Sequence, residues 1–330
     1  MPVGVPVGVP VSMPVSMPVN MTVSMPVSMV VRHVCESIGH ASHVQAEAAR
    51  AAVASAGAPL LERLAAALAG AQHTHRPRGM RRVLVVVAGD HGAGDPGGAL
   101  GPDHPTVVAA QQIAAGTAAV AHLARLASTP VVLVDAGVRE PTHMPSVAIS
   151  LGHGPTRDLA HGPAMTVVDA TLGLEAGIAL AMSLAEGPEP LALLALGALG
   201  LGADRASSAL VNALTKAPPH AAIEALAAFG GSDTAVLAGL ILGAASINVP
   251  VILDGYATGT AALVAAALAA PVTGYLVAAH RGSLTMPGIL AHLRLEPIFE
   301  VGLGHGEGSG AAMVLPLVDQ VVALTTRQEG

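Results

Sequence analysis

From Glu47 onward the apolar positions of this chain fall into two alternating textures. Glu47 to Ala71 is rich in Ala and Leu at amphipathic helical spacing, and the polar stretch Gln72 to Arg82 leads from it into the continuous apolar run Val83 to Val87. Three more short runs follow, at Pro130 to Val134, Val249 to Leu253 and Gly274 to Val277, with Ala-rich helical segments between them. A strand with one wet face alternates apolar and polar side chains, whereas a strand apolar at every position is buried on both faces. Strands of the second kind, recurring between helices, predict an α/β protein with a parallel sheet flanked by helices. Ligands in such sheets gather at the carboxyl ends of the strands.

The residues that follow the four runs suit that place. They read Gly89-Asp90-His91-Gly92, Asp135-Ala136-Gly137, Asp254-Gly255-Tyr256 and Ala279-His280-Arg281-Gly282. Each sets a polar or ionisable group beside a glycine, and four such ends in one sheet would line a shared crevice. Asp and Gly are also ordinary turn formers and Asp caps helices, so each end singly has a structural reading, and Asp135 is expected to be a cap or turn residue. A further glycine run, Gly197 to Gly202, follows the apolar segment Leu191 to Leu196 and precedes a helix beginning near Asp204. Glycines between a strand and a helix can present backbone amides to a phosphate, here from Gly200 and Gly202. Their spacing is not G-x-G-x-x-G and no acidic residue follows at the matching distance, which argues against a nicotinamide cofactor.

The most distinctive run is Gly304-His305-Gly306-Glu307-Gly308-Ser309-Gly310, one carboxylate among glycines ahead of an apolar helix. Glycine lets the main chain approach a ligand closely, so Glu307 can face a bound molecule while amides such as those of Gly306 and Gly308 reach its polar groups. Glu307 is the expected general base. Asp90, His91, Asp254 and His280 are the residues expected to line the crevice around it.

Composition narrows the alternatives. With 52% hydrophobic and 11% charged residues in 330, the chain has ample apolar material for a folded core. A net charge of -7, no Lys/Arg cluster beyond Arg76 to Arg82, and no Trp together exclude a nucleic-acid partner. The single Cys35 excludes an intramolecular disulfide and a multi-cysteine zinc site, which suits a cytoplasmic protein. His73 and His75 lie two apart in a polar linker with no Cys nearby, so no metal site is expected from the 15 histidines.

Mean hydropathy is high, at +0.62, and Thr234 to Leu253 and Tyr256 to Ala279 are long enough to span a bilayer. The first contains Asn248-Val249-Pro250 and reads as helix, turn and strand; the second is broken by Pro271 and Gly274. Neither is flanked by a Lys/Arg asymmetry, and no membrane association is expected. Residues 2 to 29 are seven imperfect copies of a tetrapeptide (PVGV, PVSM and variants), whose recurring proline forbids a helix and indicates a flexible extended arm or a repeat expansion. The arm has no basic n-region or unbroken apolar core, so a secretory signal is not expected.

From about Leu64 to the C-terminus the chain resembles the nicotinate-nucleotide:dimethylbenzimidazole phosphoribosyltransferase family, which makes the lower-ligand nucleotide of cobalamin. The resemblance runs in order through Leu68 to Pro77, Ala88 to Gly92, Val134-Asp135 with Gly137-Val138, and Thr156 to Thr166. It continues through Ala228 to Gly231, Val251 to Tyr256 (VILDGY), Ala278 to Arg281 and Gly306 to Ala312 (GEGSGAA). It implies a Rossmann-like α/β domain over 83–290 and a small helical domain built from 30–82 and 291–330, with the repeat arm at 1–29. It also implies a homodimer, no cofactor and no metal. A benzimidazole nitrogen would attack the anomeric carbon of nicotinate mononucleotide, releasing nicotinate and forming α-ribazole phosphate, with Glu307 as the family's general base.

The departures fall on polar positions. Gly197 to Arg205 reads GALGLGADR where the family carries GEMGIGNTT, so a glutamate has become Ala198 and Asn-Thr-Thr has become Ala203-Asp204-Arg205. Ala99 and Val108 stand where base-contacting serine and glutamine are expected, and the stretch between Lys216 and Glu224 lacks a second glycine-rich loop and a lysine-bearing helix. Two readings follow: a transferase with a remodelled site, or a non-catalytic nucleotide-binding relative or partner subunit of an active transferase.

Overall fold

The computed structural model describes residues 28–92, 101–152, 154–216, 218, 221–282, 285–301, 303 and 306–326; the repeat arm, Ala99, Gly304 and His305 lie outside them. The chain opens with helices α1 (Met29–Ser37), α2 (His43–Val53) and α3 (Pro59–Ala71), then strand β1 (Arg82–Ala88), α4 (Pro105–Ala114), α5 (Ala119–Leu126), β2 (Val131–Asp135) and β3 (Ile149–Ser150). There follow α6 (Val167–Ala185), β4 (Leu193–Leu199), α7 (Ala203–Leu214), α8 (Ala222–Phe229), α9 (Ser232–Ser246), β5 (Val251–Leu253), α10 (Tyr256–Leu268), β6 (Leu276–Ala278), α11 (Met286–Leu293) and α12 (Ser309–Thr326).

The six strands form one sheet in the order β3-β2-β1-β4-β5-β6, every pair parallel. Strand order therefore reverses between β1 and β4, and in sheets of this kind ligands bind near such a reversal, at the carboxyl ends of the strands. All seven residues of β1 are buried, and the two sheet faces explain why. Val83, Val85 and Val87 pack into one apolar core with α1, α6, α9 and α10, while Leu84, Val86 and Ala88 pack into a second with α2, α3, α5 and α12.

One sequence expectation is corrected in detail, and one short strand lies outside the apolar runs. The Ala/Leu-rich stretch Glu47 to Ala71 is not one helix: Gly57 turns the chain through φ 63° and Pro59 restarts it at the first turn of α3. Proline has no N–H to give and fits that position. Strand β3 pairs Ile149 and Ser150 with Val134 and Asp135, and is too short to carry a hydrophobic pattern. The two long apolar stretches resolve as read: α9, a turn through Asn248 and β5, then α10, a 3-10 turn over Ala270–Tyr275 and β6. Segments 105–126, 167–185 and 309–326 are also apolar and long enough to cross a membrane by composition, and their helices flank this sheet.

Helix α12 carries the glycine-rich loop at its start and is fixed at both ends. Towards its C-terminal half, Asp319 accepts two bonds from the Arg82 guanidinium, at 2.7 and 3.0 Å. The Arg82 side chain is buried at the amino end of β1, and its remaining donors reach Thr129 Oγ1 at 2.9 Å and the Ala127 carbonyl at 2.5 Å. A buried guanidinium is tolerated because every direction of its fork is met.

Candidate functional site

The loop that bears Glu307 lies directly on the end of β4. The Ala198 N–H donates to the Gly306 carbonyl at 2.8 Å, extending the sheet by one partner. This needs Gly197, because a Cβ there would overlap the Glu307 carbonyl. Gly200, at φ 155°, likewise lets β4 pass against β1, where a side chain would overlap the Gly89 carbonyl.

Asp254, wholly buried at the end of β5, holds the same loop from below. One of its oxygens accepts from the Gly308 N–H and the other from the Ala311 N–H, both at 2.9 Å. A carboxylate at this place meets the orphan donors and the positive end of the α12 dipole together. His280, buried after β6, accepts from the Gly282 N–H on Nδ1 at 3.0 Å. Its Nε2 therefore carries the proton and stands 3.7 Å from Asp254 Oδ1. Gly310 leaves the space that the His280 ring fills.

The end of β1 is organised differently. Asp90 Oδ1 accepts from Thr106 Oγ1 at 2.5 Å and from the Leu201 N–H at 2.9 Å, and its Oδ2 accepts from the Arg139 N–H at 2.8 Å. It ties together the loops after β1, β2 and β4. His91 is buried with Nε2 3.1 Å from the Asp233 carboxylate in the first turn of α9. Burial works against charge on this ring, but the attraction of Asp233, with a lesser one from Asp90, holds its pKa above the ordinary histidine value. Asp135 accepts from the Gly137 and Val138 N–H groups at 3.0 and 2.9 Å, the turn role the sequence suggested.

A crevice of about 530 Å³ opens above these layers, between the end of β4, the start of α7 and the start of α10. Its lining includes half-buried Glu307 and its neighbour Gly306, Ala198 and Gly200 at the end of β4, Asp204 and Ser208 on α7, and Tyr256 on α10. The Tyr256 hydroxyl donates to Ser208 Oγ at 3.3 Å.

The structure thus sorts the sequence-derived residues. Glu307, Gly306 and Gly200 face the crevice. Gly308 does not offer its N–H to a ligand, because Asp254 takes it. Gly202, at φ 79°, caps α7 outside the lining. Asp90, His91, Asp254 and His280 are not among the described lining residues and lie beneath the surface: the two carboxylates accept from protein donors and each imidazole has one nitrogen bonded within the protein, while His91 Nδ1 and His280 Nε2 are buried without a hydrogen-bond partner among the described residues. The sequence reading missed Ser208 as a lining residue. The signal was available, since Ser208 follows Asp204 by one helical turn and shares its face.

A family model described as a phosphoribosyltransferase matches residues 35–224 and 218–329 of this chain. The nicotinate-nucleotide–dimethylbenzimidazole phosphoribosyltransferase of Roseiflexus sp. (strain RS-1) is 33% identical over 293 residues, which cover 78% of this chain and 82% of that protein. The enzyme of the same name from Halalkalibacterium halodurans is 32% identical over 302 residues, covering 80% and 83%. Among solved structures, the chain is similar to the nicotinate-nucleotide–dimethylbenzimidazole phosphoribosyltransferase of Thermus thermophilus, with a TM-score of 0.70 and 29% identity over 80% of this chain and 88% of that one. It is also similar to the structure titled CobT from the same organism, with a TM-score of 0.74 and 28% identity over 86% and 96%.

Proposed function

Because this chain belongs to the nicotinate-nucleotide:dimethylbenzimidazole phosphoribosyltransferase family, we propose that it transfers the phosphoribosyl group of nicotinate mononucleotide to 5,6-dimethylbenzimidazole or a related base. The products are nicotinate and α-ribazole 5′-phosphate. The observation that carries the reading is the placement of Glu307: a carboxylate on a loop pinned to β4 by Gly197 and Gly306 and to β5 by Asp254, facing a crevice large enough for two small reactants.

A nitrogen of the base attacks C1′ of the donor. The bond from C1′ to the pyridinium nitrogen breaks, and its electron pair neutralises that ring as nicotinate leaves. The base's other nitrogen must lose its N–H proton, and Glu307 is the group that accepts it. The leaving group departs from a cationic nitrogen, so it needs no acid. What the protein supplies beyond the base is the alignment of two reactants in one cleft. Gly200 and Gly306, which bring backbone to the crevice surface, are the glycines suited to contact the nucleotide.

A homodimer in the cytoplasm belongs to the same proposal. Self-association is supported by the outer face of α6, where Val168 and Leu172 are 52% and 47% exposed.

The test is an assay of purified full-length protein with nicotinate mononucleotide and dimethylbenzimidazole, beside a panel of other azoles, following nicotinate release and product mass. Product with any of these bases supports the transferase. No product with any base, from protein shown to be folded, would favour the non-catalytic relative or partner subunit instead.

A further inference from the structure

The charge of the crevice is one-sided. Two carboxylates line it, Asp204 and Glu307, together with the hydroxyls of Ser208, Tyr256 and Thr285; among the described lining residues there is no lysine, arginine or histidine. The two acids come from different elements. Glu307 comes from the loop before α12, whereas Asp204 comes from the first turn of α7.

Asp204 occupies the position where the N–H groups of α7 would otherwise favour an anionic ligand. Its carboxylate makes no hydrogen bond or ion pair with another described residue, while Ser208 Oγ is engaged with the Asp204 carbonyl at 2.8 Å and with the Tyr256 hydroxyl at 3.3 Å. The group presented to a ligand from α7 is therefore a hydrogen-bond acceptor with a negative charge. A phosphate dianion placed beside it meets repulsion, with no cation among the described lining residues to offset it. A sugar hydroxyl placed there donates to it, which is how carboxylates recognise ribose.

Resting on the glycosyl-transfer reading of this crevice, we infer that the protein also uses an unphosphorylated nicotinate nucleoside as donor, and that Asp204 sets the choice between a 5′-hydroxyl and a 5′-phosphate. The chemistry at C1′ is unchanged. The base nitrogen forms the new bond to C1′, the bond to the pyridinium nitrogen breaks with its electron pair left on that nitrogen, and the base's proton passes to Glu307. The products are nicotinate and the α-riboside of the base. The 5′ group takes no part in these steps, so it is free to vary with the residues that meet it.

The experiment supplies purified full-length protein with dimethylbenzimidazole and either nicotinate riboside or nicotinate mononucleotide, in wild-type and Asp204→Asn forms, and follows nicotinate release and product mass. Asp204 is solvent-exposed, so the substitution leaves the core untouched, and thermal melting of both forms checks this. The wild type is expected to turn over both donors. The ratio of kcat/KM for mononucleotide over riboside should rise by about tenfold in Asp204→Asn, less so at high salt, where a partly exposed charge is screened. Turnover of the mononucleotide alone, or a ratio unmoved by the substitution, overturns this inference and leaves the transferase standing. No product from either donor overturns both.

Discussion

At the end of β1, His91 stands 3.1 Å from Asp233; at the end of β5, Asp254 stands 3.7 Å from His280. Both pairs are buried, both join the end of a central or neighbouring strand to another element, and both consist of the same two residue types. They differ in where the carboxylate spends its lone pairs. Asp233 turns to the imidazole and raises its pKa, making an ion pair that fastens α9 to β1. Asp254 gives both oxygens to backbone N–H groups of the α12 start, and the histidine is left outside hydrogen-bond range. The first pair is a titratable clasp at the carboxyl end of β1. The second is a helix cap with a histidine behind it, and its cargo is the loop that carries Glu307.

The contrast breaks most severely at Asp254. Asp254→Ala leaves two buried N–H groups without acceptors and should cost about 3 to 5 kcal/mol in urea unfolding, with turnover falling as the Glu307 loop loses its anchor. Asp254→Asn keeps a single acceptor oxygen and should fall between that variant and the wild type. A cost for Asp254→Ala below about 1 kcal/mol would mean the cap is dispensable.

At Asp233 the expected effect is smaller and depends on pH. A histidine pKa raised by folding stabilises the native state fully below the unfolded-state value near 6.5, and that contribution is lost as pH rises through the folded-state value. Asp233→Asn should therefore be destabilised by about 1 to 3 kcal/mol at about pH 6, and the gap from the wild type should narrow towards about pH 9. A gap that widened with pH would reverse the assignment of the clasp.

The smallest effect is expected at His280. His280→Asn can still accept from Gly282, which lines the crevice, so stability should change by about 1 kcal/mol and KM should move more than kcat. If kcat fell as far as it does in Asp254→Ala, with KM unmoved, the two residues would have to act on Glu307 as one unit.

Much of this architecture was legible in the residues themselves. The β1 run Val83 to Val87 is apolar at every position because alternate side chains enter two cores, and that pattern named the sheet type before any contact was known. The polar strand ends were legible as a group too. Their separate roles were not, because a carboxylate's role depends on partners distant in sequence. Asp254 is satisfied by Gly308 and Ala311, and Asp90 by Leu201 and Arg139. Nothing adjacent to Asp254 marks it as the support of a glutamate more than fifty residues away. The reverse error occurred at Gly308, whose place beside Glu307 suggested a ligand contact although its N–H is already engaged. The break between α2 and α3 was written in Gly57 and Pro59, but the continuous Ala/Leu pattern across it concealed the turn.

At this end of the sheet, the loops and buried caps together hold one carboxylate against a small-molecule crevice. The direct test is Glu307→Gln, measured as nicotinate release from nicotinate mononucleotide with dimethylbenzimidazole, alongside donor binding by calorimetry. The amide keeps the size and the loop but does not take a proton, so turnover should fall by about a hundredfold or more with donor affinity and melting temperature held. Turnover equal to the wild type would remove Glu307 from the chemistry and leave the buried cap beneath it without a catalytic group to support.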